Sequence, residues 1–178
     1  WIACDLDAYI PFCAAFLIPY VAWFPLVPGM FWYFYKREPE SFLHLSRMTI
    51  IGLTICLAIY ALFPNGQLLR RPIIGDDILS QLVILLRKSD TPTNVCPSIH
   101  CQSTGCMALA MWYSSLAYRH RWIRPVAAVW ATAICASTLF TKQHAVVDVV
   151  MGLAMAAVWL PVFRRRWKKL EQNHKNLV

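Results

Sequence analysis

Charge is scarce in this sequence. Only 15% of its 178 residues are Asp, Glu, Lys or Arg, against about 25% in ordinary soluble domains. No linker rich in Gly, Ser or Pro divides the chain, and no segment repeats another. A chain of several soluble domains is thereby excluded. A cleavable signal peptide is also lacking. The chain opens at Trp1, which leaves room for a sixth helix ahead of it. No zinc pattern is present either. The seven cysteines include Cys96, Cys101 and Cys106, spaced by five, while Cys4, Cys13, Cys56 and Cys135 are scattered. Most lie in apolar stretches, where cysteine behaves as a small hydrophobe. A disulfide between some pair of them is left open.

What the chain has in excess is apolar surface, with 58% of its residues hydrophobic. A membrane-spanning helix needs about 20 mostly apolar residues. Five stretches qualify as spans, near Tyr9–Tyr35, Met48–Phe63, His100–Tyr118, Pro125–Phe140 and Ala145–Phe163. Pro11, Pro19, Pro25 and Pro28 are expected to kink the first or break a piece from it. The expected fold is all-α: a polytopic transmembrane bundle forming one membrane-embedded domain over residues 1–178.

The net charge of +8 is not spread evenly. Basic residues cluster between Tyr35 and Arg47, between Tyr118 and Arg124, and from Arg164 to Lys169. If each span crosses once, these clusters share a side, and the positive-inside bias makes it cytoplasmic. This distribution favours orientation in a bilayer over binding of nucleic acid. The other side then receives the start of the chain, Pro64 to Pro97, and Ser137 to Gln143. Within the long segment, Ile78, Leu79, Leu82, Val83, Leu85 and Leu86 come close to helical spacing before Arg87-Lys88. A short interfacial helix is expected there. The run Phe31-Trp32-Tyr33-Phe34-Tyr35 suits an aromatic belt at a span end.

Three polar constellations fall on that second side. The first is Arg70-Arg71-Pro72. A guanidinium can grip phosphate through two parallel hydrogen bonds, although it can also simply anchor the chain at the headgroups. In the second, Pro97-Ser98-Ile99-His100, Ser98 can cap a helix and leave N–H groups facing an anion. His100 then lies in the first turn, where an interfacial histidine paired with water is the alternative. The third runs from Ser137 through Lys142 and His144 to Asp148. If the fifth span starts near Gln143, His144 and Asp148 are four apart on one helix face and are expected to meet. A carboxylate inside an apolar span is costly and marks function by default. Held at one nitrogen by Asp148, His144 keeps the other free as base or nucleophile. A structural ion pair without chemistry is the alternative.

These residues resemble the type 2 phosphatidic acid phosphatase superfamily, whose signature is KxxxxxxRP, PSGH and SRxxxxxHxxxD. The resemblance covers about Met48 to Trp159. PSIH at Pro97–His100 stands for the second motif, and Ser137, His144 and Asp148 keep the spacing of the third. The stretch Ser137–His144 looks especially like a bacterial branch related to inositol phosphorylceramide synthases. Two cations of the pattern are missing: Pro64 stands where the lysine belongs and Thr138 where the arginine follows the serine. Lys142, Arg70 and Gln67 are candidates to compensate.

The resemblance implies a lipid phosphate phosphatase with His144 as nucleophile, Asp148 as its orienting partner, and His100 as acid and base. Arg71, Ser98 and Lys142 would hold the phosphate. It implies no cofactor and no metal. The substrate would be phosphatidic acid, a related lipid phosphate or a polyprenyl diphosphate, met in a bacterial plasma membrane on the non-cytoplasmic face. Oligomeric state is left open. A lipid phosphotransferase using the same residues is the alternative, and a lipid-binding protein on a degraded enzyme scaffold is a third reading.

Overall fold

Prolines and capping residues set the helix boundaries. The structure, a computed structural model, describes residues 1–175; the last three positions of the expected 1–178 domain lie outside the described residues. After a four-residue helix, α1 (Leu6–Tyr9), the chain breaks around Pro11, makes a 3-10 turn at Ala14–Phe16 and enters α2 (Leu17–Arg37). Pro19 falls in the first turn, where no intrahelical N–H is required. Pro25 and Pro28 lie inside α2, and the helix continues through them. The first expected span is therefore shortened at its start by the break at Pro11.

Helix α3 (Pro39–Leu62) begins nine residues before the expected Met48. Pro39 at its first position carries a φ already suited to a helix. Only Glu38 separates α2 from α3, so most of the basic segment expected as a loop is helical. The expected interfacial helix is α4 (Ile78–Ser89). Asp77 caps it, accepting from the Ser80 N–H at 3.0 Å. The bonds from Ser80 hold the exposed Asp77 carboxyl below the usual range. Val83 packs against Leu17 and Tyr20, while Ile78, Leu82 and Leu85 remain exposed.

The third expected span divides. α5 (Ile99–Trp112) is followed by the short α6 (Ser115–Arg119). Ser114 starts α6 by accepting from the Ala117 N–H at 3.0 Å. Fourteen residues reach only about 21 Å, short of the roughly 30 Å hydrocarbon layer. α5 instead forms the centre of the bundle, packed against α3, α7 (Ile123–Phe140) and α8 (Val146–Ala157). Its Cys101, Cys106, Met107 and Ala110 are fully buried. α8 is joined to α9 (Leu160–Lys175) with a bend of 42°. Among the described residues, three helices are long and apolar enough to cross a membrane, and four if α8 and α9 make one bent span. The fold is a helical membrane bundle built around a short central helix.

The two ends of the bundle differ chemically. At one end the basic clusters converge. Arg166 of α9 donates to the buried Glu38 carboxylate at 2.9 Å and to the Tyr113 carbonyl at 3.1 Å. Glu38 also accepts from Ser41 and from the N–H of Ser115, tying α3, α6 and α9 together. The Arg124 guanidinium lies 4.1 Å from the Trp167 ring centre. All three polar motifs gather at the opposite end. All seven cysteine thiols are free.

Candidate active site

The site is built where the loop entering α5 meets the start of α8. Ser98 is fully buried, and its hydroxyl accepts from the Cys101 N–H at 3.3 Å, capping α5 as its sequence position predicts. The Ser98 N–H donates to the Asp148 carbonyl at 3.1 Å. Two motifs fifty residues apart are thus joined through backbone.

Two features allow that approach. Gly152 lies one turn after Asp148, and a Cβ there would meet the Ser98 carbonyl oxygen at 2.6 Å. Only hydrogen fits. Asn65 holds the loop from behind. Its side-chain oxygen accepts from the N–H of Val95 and Cys96, both at 2.9 Å, and its amide donates to the Cys96 carbonyl at 2.9 Å. The bond between Cys96 and Pro97 is cis.

Asp148 is fully buried. Its Oδ2 accepts from the Ala145 N–H at 2.8 Å and lies 3.4 Å from His144 Nδ1. The second distance is long for a charge-assisted bond. With the carboxylate as acceptor, the Nδ1 proton is held and Nε2 keeps its lone pair. No hydrogen bond occupies His144 Nε2 among the described residues. The His100 ring centre is 5.8 Å from that of His144. On its other sides, His100 meets the rings of Trp23 at 4.4 Å, Tyr20 at 4.9 Å and Phe24 at 6.2 Å. Its Nε2 is buried and unpartnered. Tyr20 and Trp23 are themselves fixed, donating to Asp90 at 2.8 Å and to Ser103 at 3.1 Å.

The remaining phosphate-site candidates stand apart. Arg71 and Lys142 line a cavity of about 460 Å³ together with Asp5, Asp7, Phe12 and Arg87. Neither histidine lines it. Arg71 is exposed, whereas the Lys142 ammonium donates to the Asp7 carbonyl at 3.0 Å. Burial, helped by the positive charge of Arg71, lowers the Lys142 pKa against the opposing pull of Asp7. Lys142 has a φ of 58°, in the left-handed region.

Arg70 and Gln67 serve the loop that carries His144. Arg70 donates to the Asp90 carbonyl and to the Gln143 side-chain oxygen. Gln67 donates to the Lys142 carbonyl at 3.0 Å. Arg87 of α4 adds a bond to the Thr141 carbonyl at 3.1 Å. Ser137 is fully buried and donates to the Ile134 carbonyl.

The sequence pattern of the PAP2 superfamily matches residues 77–171, over half of the chain. The chain belongs to the PAP2 superfamily. Membership makes it an enzyme of the general phosphatase and phosphotransferase type that works on lipid phosphates. No curated protein and no solved structure matches it. The PAP2 match includes Ser98, His100, Lys142, His144 and Asp148. It leaves out Asp7, Asn65 and Arg71. Of the residues that build this candidate site, Asp7, Asn65, Trp23 and Gly152 escaped the motif reading. Gly152 carried a local signal, standing four residues after Asp148 on the same helix face.

Proposed function

We propose that this PAP2 enzyme removes phosphate from phosphatidic acid, or from a related lipid phosphate or polyprenyl diphosphate, through a phosphohistidine at His144. The observation that carries this reading is the His144–Asp148 contact with the His100 ring 5.8 Å from that of His144. Nε2 of His144 attacks phosphorus, forming a P–N bond as the P–O bond to the leaving group breaks: a lipid alcohol from a monophosphate, a lipid phosphate from a diphosphate. The departing oxygen takes a proton from His100. His100 then removes a proton from water, whose oxygen attacks phosphorus. The P–N bond breaks and inorganic phosphate leaves. Such acid–base help contributes about 10²–10⁴-fold.

Arg71 and Lys142 make the approach positive, and charge of that sign stabilises a transferring phosphoryl group. Ser98 fixes the start of the helix that carries His100. No metal or cofactor is assigned a step. The site lies opposite the three basic clusters, which by the positive-inside bias supports a non-cytoplasmic placement, in our reading on a bacterial plasma membrane.

Phosphate release from dioleoyl phosphatidate, without added Mg²⁺, tests this reading. Wild type should release phosphate and His144→Ala should not. Equal rates would remove His144 from the mechanism.

One observation favours a second reading, a lipid phosphotransferase of the inositol phosphorylceramide synthase type. His100 is walled by Tyr20, Trp23 and Phe24, and its buried Nε2 has no polar partner. Such a wall suits the hydroxyl of a lipid alcohol better than water, which needs several polar partners when buried. Supplying lipid alcohols and analysing products by mass spectrometry separates the two. A new phosphorylated lipid supports transfer, and free phosphate as the sole product excludes it.

A further inference from the structure

We propose that Asp7 is a positioning residue for the nucleophile His144, acting by capping α8 from the strap formed by residues 1–13. This rests on the role given above to His144. Asp7 is 4% exposed, and a carboxylate buried to that degree needs partners. Its Oδ1 accepts from the Val146 N–H and its Oδ2 from the Cys4 N–H, both at 2.8 Å. Its carbonyl oxygen accepts from Lys142 Nζ at 3.0 Å.

The need for this cap follows from the chain around His144. Residue Ala145 occupies the N-cap of α8 and has no side-chain acceptor to offer. Asp148 reaches back to the Ala145 N–H, which leaves the Val146 N–H without a local partner. Asp7, distant by 139 residues, supplies it. A carboxylate at a helix N-terminus also complements the helix dipole. Asp7 therefore grips both sides of His144: the ammonium of Lys142 before it and the N–H of Val146 after it.

The strap is itself pinned. Ile2 donates to the Gly66 carbonyl at 2.7 Å and Cys13 to the Phe140 carbonyl at 3.0 Å. Phe16 stacks on Phe140 at 4.3 Å. A held strap can transmit position; a loose one cannot. Movements of about 1 Å in a reacting group can cost 100-fold in rate.

The test compares Asp7→Ala and Asp7→Asn in the full chain, with Asp7→Ser as a milder truncation should the alanine variant not fold. Asp76→Asn controls for charge, because Asp76 is exposed and does not line the cavity of Arg71 and Lys142. Two readouts are taken: kcat and KM on dioleoyl phosphatidate, and hydrogen exchange of the peptide spanning 141–150.

Truncation should lower kcat at least tenfold with KM within threefold, and should speed exchange in 141–150. Asp7→Asn, which keeps an acceptor for Val146, should stay within threefold of wild type, and Asp76→Asn within twofold. Unchanged kcat or unchanged exchange after truncation overturns the proposal. So does a gain in kcat/KM, which would mark Asp7 as a plug over the site, or an Asp7→Asn variant as weak as the truncation. A wild type without activity refutes the phosphatase reading alone, since exchange still reports whether Asp7 holds the loop.

Discussion

The N–H of Ser98 donates to the carbonyl of Asp148 at 3.1 Å, joining the helix that carries His100 to the helix preceded by His144. The relative placement of the two histidines is therefore set by backbone. Rotamers have less to do, and the interhelical contact has more.

Gly152 is the residue that permits this contact. Substitution by alanine would drive a methyl group against the Ser98 carbonyl oxygen and the Cys101 side chain. Neither can swing away, because both belong to the start of α5. Overpacking of this kind costs about 1–3 kcal/mol. Gly152→Ala should lower the midpoint of thermal unfolding in detergent and reduce kcat at least tenfold. Gly29→Ala, at a position with nothing near its Cβ, should leave kcat within twofold.

Asn65 should matter to His100 without touching it. Asn65→Ala removes three hydrogen bonds to residues 95 and 96. Each buried polar group left unsatisfied costs about 1–3 kcal/mol. The variant should unfold at lower temperature than wild type. Asn65→Asp keeps the acceptor for Val95 and Cys96 but sets a carboxylate oxygen against the Cys96 carbonyl, so it too should unfold below wild type. Differential scanning fluorimetry of the three proteins ranks them.

How much of this could be read in the chain depends on sequence distance. The Ser98 cap is a contact within one helical turn, and spacing exposes it; His144 and Asp148 also meet, although His144 stands two residues ahead of α8 and not on its face as expected. α4 was legible too, since its apolar residues follow a helical period and Asp77 precedes them. The break after Trp112 was not: the apolar run continues across it, and hydropathy does not register a serine cap inside such a run. The start of α3 escaped for the converse reason. Charged residues from Glu40 to Arg47 look like a loop, although Pro39 begins a helix through them. Asp7 and Asn65 act across 139 and about 30 residues, where no local pattern reports a contact. Lys142 was legible as a cation two residues before His144, but its bond to the Asp7 carbonyl was not.

The proposed phosphate-binding role of Lys142 predicts an alkaline limit to activity. The folded pKa of Lys142 is lowered, chiefly by burial, so its charge is lost at a lower pH than that of an ordinary lysine. As pH rises through that folded value, the cavity loses positive charge and anionic substrate should bind less well. KM should therefore climb on the alkaline side in wild type. Lys142→Arg, whose guanidinium stays charged, should move that climb to higher pH. A KM profile identical in the two proteins would remove Lys142 from substrate binding.

The covalent step is tested most directly by trapping it. Enzyme is mixed with dioleoyl phosphatidate carrying ³²P in its phosphate and quenched in alkali at early times. Peptides are then mapped for label. Label is expected on the peptide containing His144 in wild type and is expected to be absent in His144→Ala. Turnover without label on that peptide, or label on another residue, would contradict it.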